Sequence, residues 1–261
     1  MGTAMFTHAL LRLPGDNFAQ GLRQAGAGAP DPELALEQHQ RYCEALAACG
    51  LSLTVLPADP HHPDGCFVED TAIVTDRGAI ITRPGAPSRR GEVDVIASAL
   101  RGLFTEIPRI VAPGTVDAGD VCEADGHFLI GLSARTNESG AGQLAAHLVD
   151  FGYRADIVDI RPCHQLLHLK TGIAWLGEGR LLATGDVPNF PELAAYEILR
   201  VPDAERYAAN ALRVNEQVLV ASGYPATRAA VESLGFPVIE VEMSEFRKLD
   251  GGLSCLSLRW Q

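Results

Sequence analysis

The sequence has no C-x-x-C pair. Its six cysteines, Cys43, Cys49, Cys66, Cys122, Cys163 and Cys255, fall at no metal-type or redox-type spacing. That excludes a zinc ribbon and a thioredoxin-like motif and leaves free thiols in a reducing compartment. No apolar run approaches the roughly 18 residues of a membrane helix, and the start MGTAMFTHALL carries no basic leader before a long apolar stretch. A cytoplasmic protein without a membrane partner is expected. Positive charge is scarce: 21 Lys and Arg against 33 Asp and Glu give a net charge of −12. This is the wrong sign for a nucleic acid partner and the right one for steering a cationic ligand.

What is present fits one domain, residues 1–261, with 47% hydrophobic and 21% charged content. Helical spacing appears at residues 33–50, 139–152 and, more briefly, 225–235. Between them, apolar runs flank tight turns: 67–75 and 79–82 around Asp76-Arg77-Gly78, and 121–124 and 127–132 around Asp125-Gly126. The pattern recurs at 172–176 and 180–184 around Gly177-Glu178-Gly179, and at 211–214 and 218–221 around Asn215-Glu216-Gln217. A polar residue stands before or early in each first strand: Asp70, Asp120, His168, Asn210 and Cys255. These markers recur every 40 to 50 residues or about that, which predicts a circular, propeller-like array, with an open α/β sheet as the alternative. The unit at Cys255 is incomplete, and residues 6–13 are available to supply its partner strand and close the ring.

Cysteine catalysis requires a thiolate, a proton donor for the leaving group and a residue that orients the donor. Cys255 follows two glycines in "DGGLSC", where missing side chains would open an approach to the sulfur, although a lone cysteine in an apolar strand is most often packing. Of the eight histidines, His168 in "LLHLKTG" is the best placed, with His164 its local competitor and a hydrogen-bonded core histidine its ordinary reading. "PDGCFVEDT" sets Asp64, Glu69 and Asp70 around an apolar strand. Neighbours on a strand face opposite sides, so one of Glu69 and Asp70 would point inward and need a cation or donors. "GTVDAGD" repeats the theme with Asp117 and Asp120; a solvated loop would explain either cluster equally. Arg89 and Arg90 in "SRRGE" and Arg135 in "SARTNESG" suit bidentate carboxylate recognition or surface ion pairs. Carboxylates for a guanidinium and arginines for a carboxylate outline a ligand such as arginine.

The motifs FVED, ITRPGAPSRRGE, PGTVDAGD, SARTN, LHLKTG, YAAN and DGGLSC, in this order and at these separations, resemble those of the dimethylarginine dimethylaminohydrolases, the bacterial ones in particular, over residues 6–257 or so. The resemblance implies an α/β fold of the pentein type, a five-bladed propeller of ββαβ-type modules around a pseudo-fivefold axis. It implies hydrolysis of dimethylarginine or monomethylarginine to citrulline and the corresponding amine through a covalent thiouronium-type adduct. Cys255 would be the nucleophile, His168 the general acid and base, and Asp117 the residue orienting His168, at a position where bacterial relatives often carry Glu. Asp70 would clamp the guanidinium with Glu69 and Asp64 beside it, and Arg89 and Arg135 would grip the α-carboxylate. Leu22 and Leu249 would contact the amino-acid end through their main chains; independently of the resemblance, Phe67 and Val68, flanking the acidic strand, are expected to contribute apolar lining at the leaving-group end. No metal or organic cofactor is implied, the partner is a small-molecule methylated arginine, and a homodimer is compatible. Residues 26–30 depart from the family pattern next to a lid-like N-terminal loop. The alternatives are arginine deiminase or another guanidine-modifying enzyme of the same fold and, further off, a non-catalytic pentein binding module.

Overall fold

The computed structural model describes residues 5–23, 28–104 and 107–261. The chain begins with β1 (His8–Arg12), crosses helix α1 (Pro32–Ala48) and returns as β2 (Ser52–Leu56), parallel to β1. Asp31 starts α1 by accepting the N–H groups of Glu33 and Leu34, with Pro32 at the first helical position, where its missing donor costs nothing.

Each later unit is an antiparallel hairpin followed by a crossover. β3 (Ala72–Val74) and β4 (Ala79–Ile81) lead into α2 (Val93–Leu100), and a single parallel bridge from Ile81 to Arg109 stands in for a third strand. β5 (Val121–Ala124) and β6 (His127–Leu132) are followed by α3 (Glu138–Asp150) and by β7 (Arg154–Asp159), parallel to β6. A short helix α4 (Leu169–Gly172) opens the next unit, β8 (Ile173–Gly177), β9 (Arg180–Ala183) and parallel β10 (Glu197–Arg200). The last full unit is β11 (Leu212–Val214), β12 (Gln217–Ala221), α5 (Pro225–Ser233) and parallel β13 (Val238–Val241), after which comes α6 (Ser244–Arg247). β14 (Leu258–Trp260) then pairs antiparallel with β1, so the chain's two ends complete one sheet. The result is an α/β propeller of five small sheets, closed as the repeat predicts. Left-handed residues make the tight hairpins: Asp125 and Gly126 have φ of 55° and 78°.

The core is divided in the same way. Leu144 and Leu148 of α3 pack with Phe128 and Ile130 of β6, for example, while Tyr42 and Leu46 of α1 join Phe246 and Leu256. Among the described residues, no helix is long and apolar enough to cross a membrane. The departure expected at residues 26–30 falls partly on residues 24–27, outside the described set; just beyond it, the Asp31 N–H donates to Glu245 of α6 at 2.6 Å.

Two expectations need correction. Residues 67–75 do not form one strand: Val68–Thr71 is a 3-10 turn, and only Ala72–Val74 is extended. Cys255 likewise does not begin a strand but sits in the turn Ser254–Leu256. Apolar residues hide these turns because their inward faces are as buried as a strand's. The same device recurs at Ala118–Asp120, at α4 and at Asp203–Ala209. All five polar markers lie on or directly beside these turns, which touch around the ring: Val68–Thr71 meets Ala118–Asp120 and Ser254–Leu256, and α4 meets Ala118–Asp120 and Asp203–Ala209.

Tyr42, fully buried on α1, anchors the chain's last turn: its hydroxyl lies 2.9 Å from the Leu253 carbonyl oxygen and 2.7 Å from Ser257 Oγ. Tyr42→Phe leaves both groups buried without that partner and should destabilise the fold by about 1 to 3 kcal/mol, read from urea unfolding.

Candidate active site

The site grows out of the ring of turns. His168 precedes α4, and the N–H of Leu169 donates to Asp120 Oδ1 at 3.0 Å, so Asp120 fixes the segment that carries the histidine. Asp120 also accepts the hydroxyls of Ser133 and Thr136 at 2.6 and 2.7 Å. His168 Nε2 lies 3.2 Å from Asp117 Oδ2, and the Gly85 N–H holds Asp117 through Oδ1 at 2.8 Å. Gly119 allows this crowding: a Cβ there would sit 2.7 Å from His168 Nδ1 and 3.0 Å from Asp70 Oδ1. Its N–H donates to that same Asp70 oxygen at 2.9 Å. The ligand-type atoms of Asp70, Asp117 and His168 all lie within 4.8 Å of one another, a spacing that would also suit a divalent ion, although these oxygens already have protein donors.

Charge follows from this geometry. Burial pulls the His168 pKa down, but the charge of Asp120, the hydrogen bond with Asp117 and the charge of Asp70 outweigh it and hold it at about 9. Burial pushes Asp120 up to about 6, against the pull of His168 and the two hydroxyls. Burial would raise Asp70 as well, yet Arg89 and His168 reverse this and bring it to about 2. The Cys255 thiol is pushed up to about 12 by burial and by the charges of Glu69 and Asp70. At neutral pH the histidine is therefore a cation and the cysteine a neutral thiol.

Cys255 and His168 line one cavity of about 490 Å³, shared with Gly119, Leu166, Leu167 and Gly252. The Gly252 N–H donates to Cys255 Sγ at 3.4 Å. The two glycines before the cysteine do more than thin the backbone. A Cβ on Gly251 would lie 2.3 Å from the Phe67 ring, and one on Gly252 would lie 2.5 Å from the Asn210 amide. Phe67 is therefore packed behind Gly251, against Phe18 and Phe246, and Val68 is fully buried in the core. Neither lines the cavity as expected; Leu166 and Leu167 are the apolar residues beside His168.

The other expected residues fall into two groups. Asp64, Leu22 and Leu249 come together: the Leu22 N–H donates to Asp64 Oδ1 at 3.0 Å, and a Cβ on Gly21 would touch both Leu249 and Asp64. Half-buried Arg135 lies near them, opposing the rise that burial gives the Asp64 carboxyl, and its guanidinium has no hydrogen-bond partner among the described residues. Arg89 is placed differently from a residue waiting for a ligand carboxylate. It is buried, with Nη1 2.5 Å from Asp70 Oδ2, Nε and Nη2 on Glu92, and Nη2 also on the carbonyls of Asp64 and Phe67. Glu69 and Asp70 do not divide into an inward and an outward face: on the 3-10 turn both are buried with different partners, and Glu69 accepts from Lys170 Nζ at 2.6 Å and Ser254 Oγ at 2.9 Å. Sequence reasoning gave no role to Lys170 and Ser254, although they stand in LHLKTG and DGGLSC, and it placed Asn210 on the ring without a role.

The folded pKa of His168 lies above its ordinary 6.5, at about 9. Its contribution to stability is thus complete below about 6.5 and is lost as the pH rises through about 9. The stability difference between the unmodified protein and His168→Gln, from urea unfolding, should accordingly shrink across that interval.

A propeller of five α/β modules with a cysteine and an acid-held histidine at its centre is a pentein. No protein-family model matches the chain. An N(G),N(G)-dimethylarginine dimethylaminohydrolase from Pseudomonas aeruginosa is 46% identical over 98% of this chain and 100% of its own length. A protein of the same name from Streptomyces coelicolor is 37% identical over 96% of each. A solved structure of the Pseudomonas protein, a cysteine-to-serine mutant complexed with citrulline, superposes with a TM-score of 0.95 over 98% of this chain and 99% of that one. The chain belongs to the dimethylarginine dimethylaminohydrolase family.

Proposed function

We propose that this protein hydrolyses Nω,Nω-dimethylarginine, and monomethylarginine, to citrulline and dimethylamine or methylamine, acting as a single catalytic domain over residues 1–261 in the cytoplasm. The observation that carries the reading is the shared cavity lined by both a cysteine thiol and an acid-held imidazolium, with carboxylates close by. The name of the Pseudomonas relative and its citrulline complex support it.

The chemistry follows from the resting charges. A guanidinium drawn in by the carboxylates adds positive charge where Cys255 otherwise meets Glu69 and Asp70, which makes the thiol easier to ionise. Because His168 is already protonated, the thiol releases its proton to water; the thiolate then attacks the guanidinium carbon and forms a C–S bond as the C=N π pair moves onto nitrogen. His168 gives its proton to the departing amine as the C–N bond breaks. Neutral His168 then takes a proton from water while the hydroxide adds to the thiouronium carbon, and collapse expels the Cys255 sulfur with formation of the ureido product. Asp117 orients the imidazole and Asp70 attracts the cation. Arg135 is the guanidinium best placed for the α-carboxylate, whereas Arg89 acts on the substrate through Asp70. Leu22, Asp64 and Leu249 hold the amino-acid end.

Cys255→Ser should lose at least about nine-tenths of citrulline formation with its fold intact, because a serine hydroxyl is a far poorer nucleophile than a thiolate. His168→Ala should lower kcat about 10²- to 10⁴-fold with little change in KM; a raised KM alone would make His168 a wall of the pocket. Methylated arginines should exceed arginine in kcat/KM by about tenfold or more, since Leu166 and Leu167 offer apolar surface beside His168 and Glu69 is occupied by Lys170 and Ser254. Product analysis with arginine and its methylated forms side by side measures this, and equal turnover of arginine would move the protein to the deiminase reading.

A further inference from the structure

The chemistry above makes no use of Asn210, although the repeat puts it in the same ring as Asp70, Asp120, His168 and Cys255. It caps the turn Asp203–Ala209 and is buried. Each polar atom of its side chain reaches another turn. Nδ2 donates to the Lys170 carbonyl at 2.8 Å and to Ser254 Oγ at 3.1 Å, while Oδ1 accepts the Ser254 N–H at 3.0 Å. Ser254 Oγ passes its own proton on to Glu69 Oε2 at 2.9 Å, and Glu69 Oε1 pairs with Lys170 Nζ at 2.6 Å. The circuit closes on itself.

This circuit bears on the sulfur in two ways. Ser254 precedes Cys255 in the chain, and its main chain is fixed by Asn210. The Asn210 amide also fills the space in front of Gly252, the residue whose N–H points at Cys255 Sγ. On its other side, Asn210 holds the carbonyl of Lys170, two residues beyond His168. A neutral amide suits the task because two donors and one acceptor are required. A carboxylate would bring a further charge beside Glu69, and a hydroxyl is too short to span both turns.

We propose that Asn210 is a positioning residue that sets the Cys255 thiol in register with His168, by clamping the turn of the one to the turn of the other. The inference rests on Cys255 being the nucleophile. Misplacing reacting groups by about 1 Å can cost on the order of 100-fold in rate.

The test pairs turnover with alkylation of Cys255 by iodoacetamide, which reads the thiol without substrate. Asn210→Ala should lower kcat about 10- to 100-fold with KM within about threefold. It should also raise the pH midpoint of Cys255 alkylation, because the Gly252 N–H that favours the thiolate is no longer held in place. Ser254→Ala, a milder change, should move both readouts in the same direction by about 3- to 10-fold in kcat, and the double variant should fall well short of additivity. If Asn210→Ala, normalised to titrated Cys255, keeps kcat within about twofold and an unmoved alkylation profile, the clamp is refuted. Should Asn210→Ala fail to fold, Ser254→Ala decides by the same two readouts. An active Cys255→Ser protein would instead refute the nucleophile assignment, and so separates the two failures.

Discussion

Carboxylate oxygens of Asp70 and Asp117 lie within 4.8 Å of each other around His168, with Asp120 just behind. Carboxylates gathered this closely in a protein interior cannot all remain charged without a cation among them. His168 is that cation, and the same three acids keep it protonated despite burial. The dependence is mutual. Neutralising the imidazole would leave the acids facing one another, and removing an acid would release the proton. Arg89 adds a second cation behind Asp70, locked by Glu92 so that it does not leave for solvent.

The propeller makes such a gathering feasible. Each hairpin starts with a helical turn, and turns from different modules touch around the ring, so residues 40 to 50 or so positions apart in sequence come within hydrogen-bonding reach. Side chains that would obstruct this are absent where it matters. Gly119 sits against both His168 and Asp70, Gly251 against Phe67, and Gly252 against Asn210. Closure by β14 on β1 fixes the position of the last turn, where Cys255 lies, and Tyr42 holds that turn from the outside.

Much of this was legible in the sequence, for reasons that can be named. Hairpins announced themselves through Asp125-Gly126 and Asn215, which take left-handed backbone, and the helices through Asp31-Pro32 and terminal glycines. The even spacing of the polar markers gave the ring. The helical turns were hidden, because Val68 and Leu256 are as buried as strand residues and a 3-10 turn of three or four residues is too short to show a period. Arg89 was hidden for a different reason. Its partner Glu92 is close in sequence, but its burial depends on Asp70, Asp64 and Phe67 in another segment, so "SRRGE" looks like an exposed basic patch. Asn210 carried a visible position but no visible chemistry, since an amide has no charge to explain.

The resting site is arranged against ionisation of the proposed nucleophile. Burial and two carboxylates place the thiol at about 12, far from ionisation at neutral pH, while His168 at about 9 already holds the proton it would give to a leaving amine. A thiolate beside an imidazolium would be the reactive pair, yet the surrounding acids stabilise only the second member. Lys170 eases ionisation of the thiol only in part, being engaged by Glu69, and Arg89 is held by Asp70 and Glu92. A guanidinium brings further positive charge with the carbon to be attacked, whereas a neutral ligand of the same shape brings only the carbon. Under the proposed mechanism the excess of acid around the axis thus selects for a cation twice, first in binding it and then in ionising the sulfur that reacts with it.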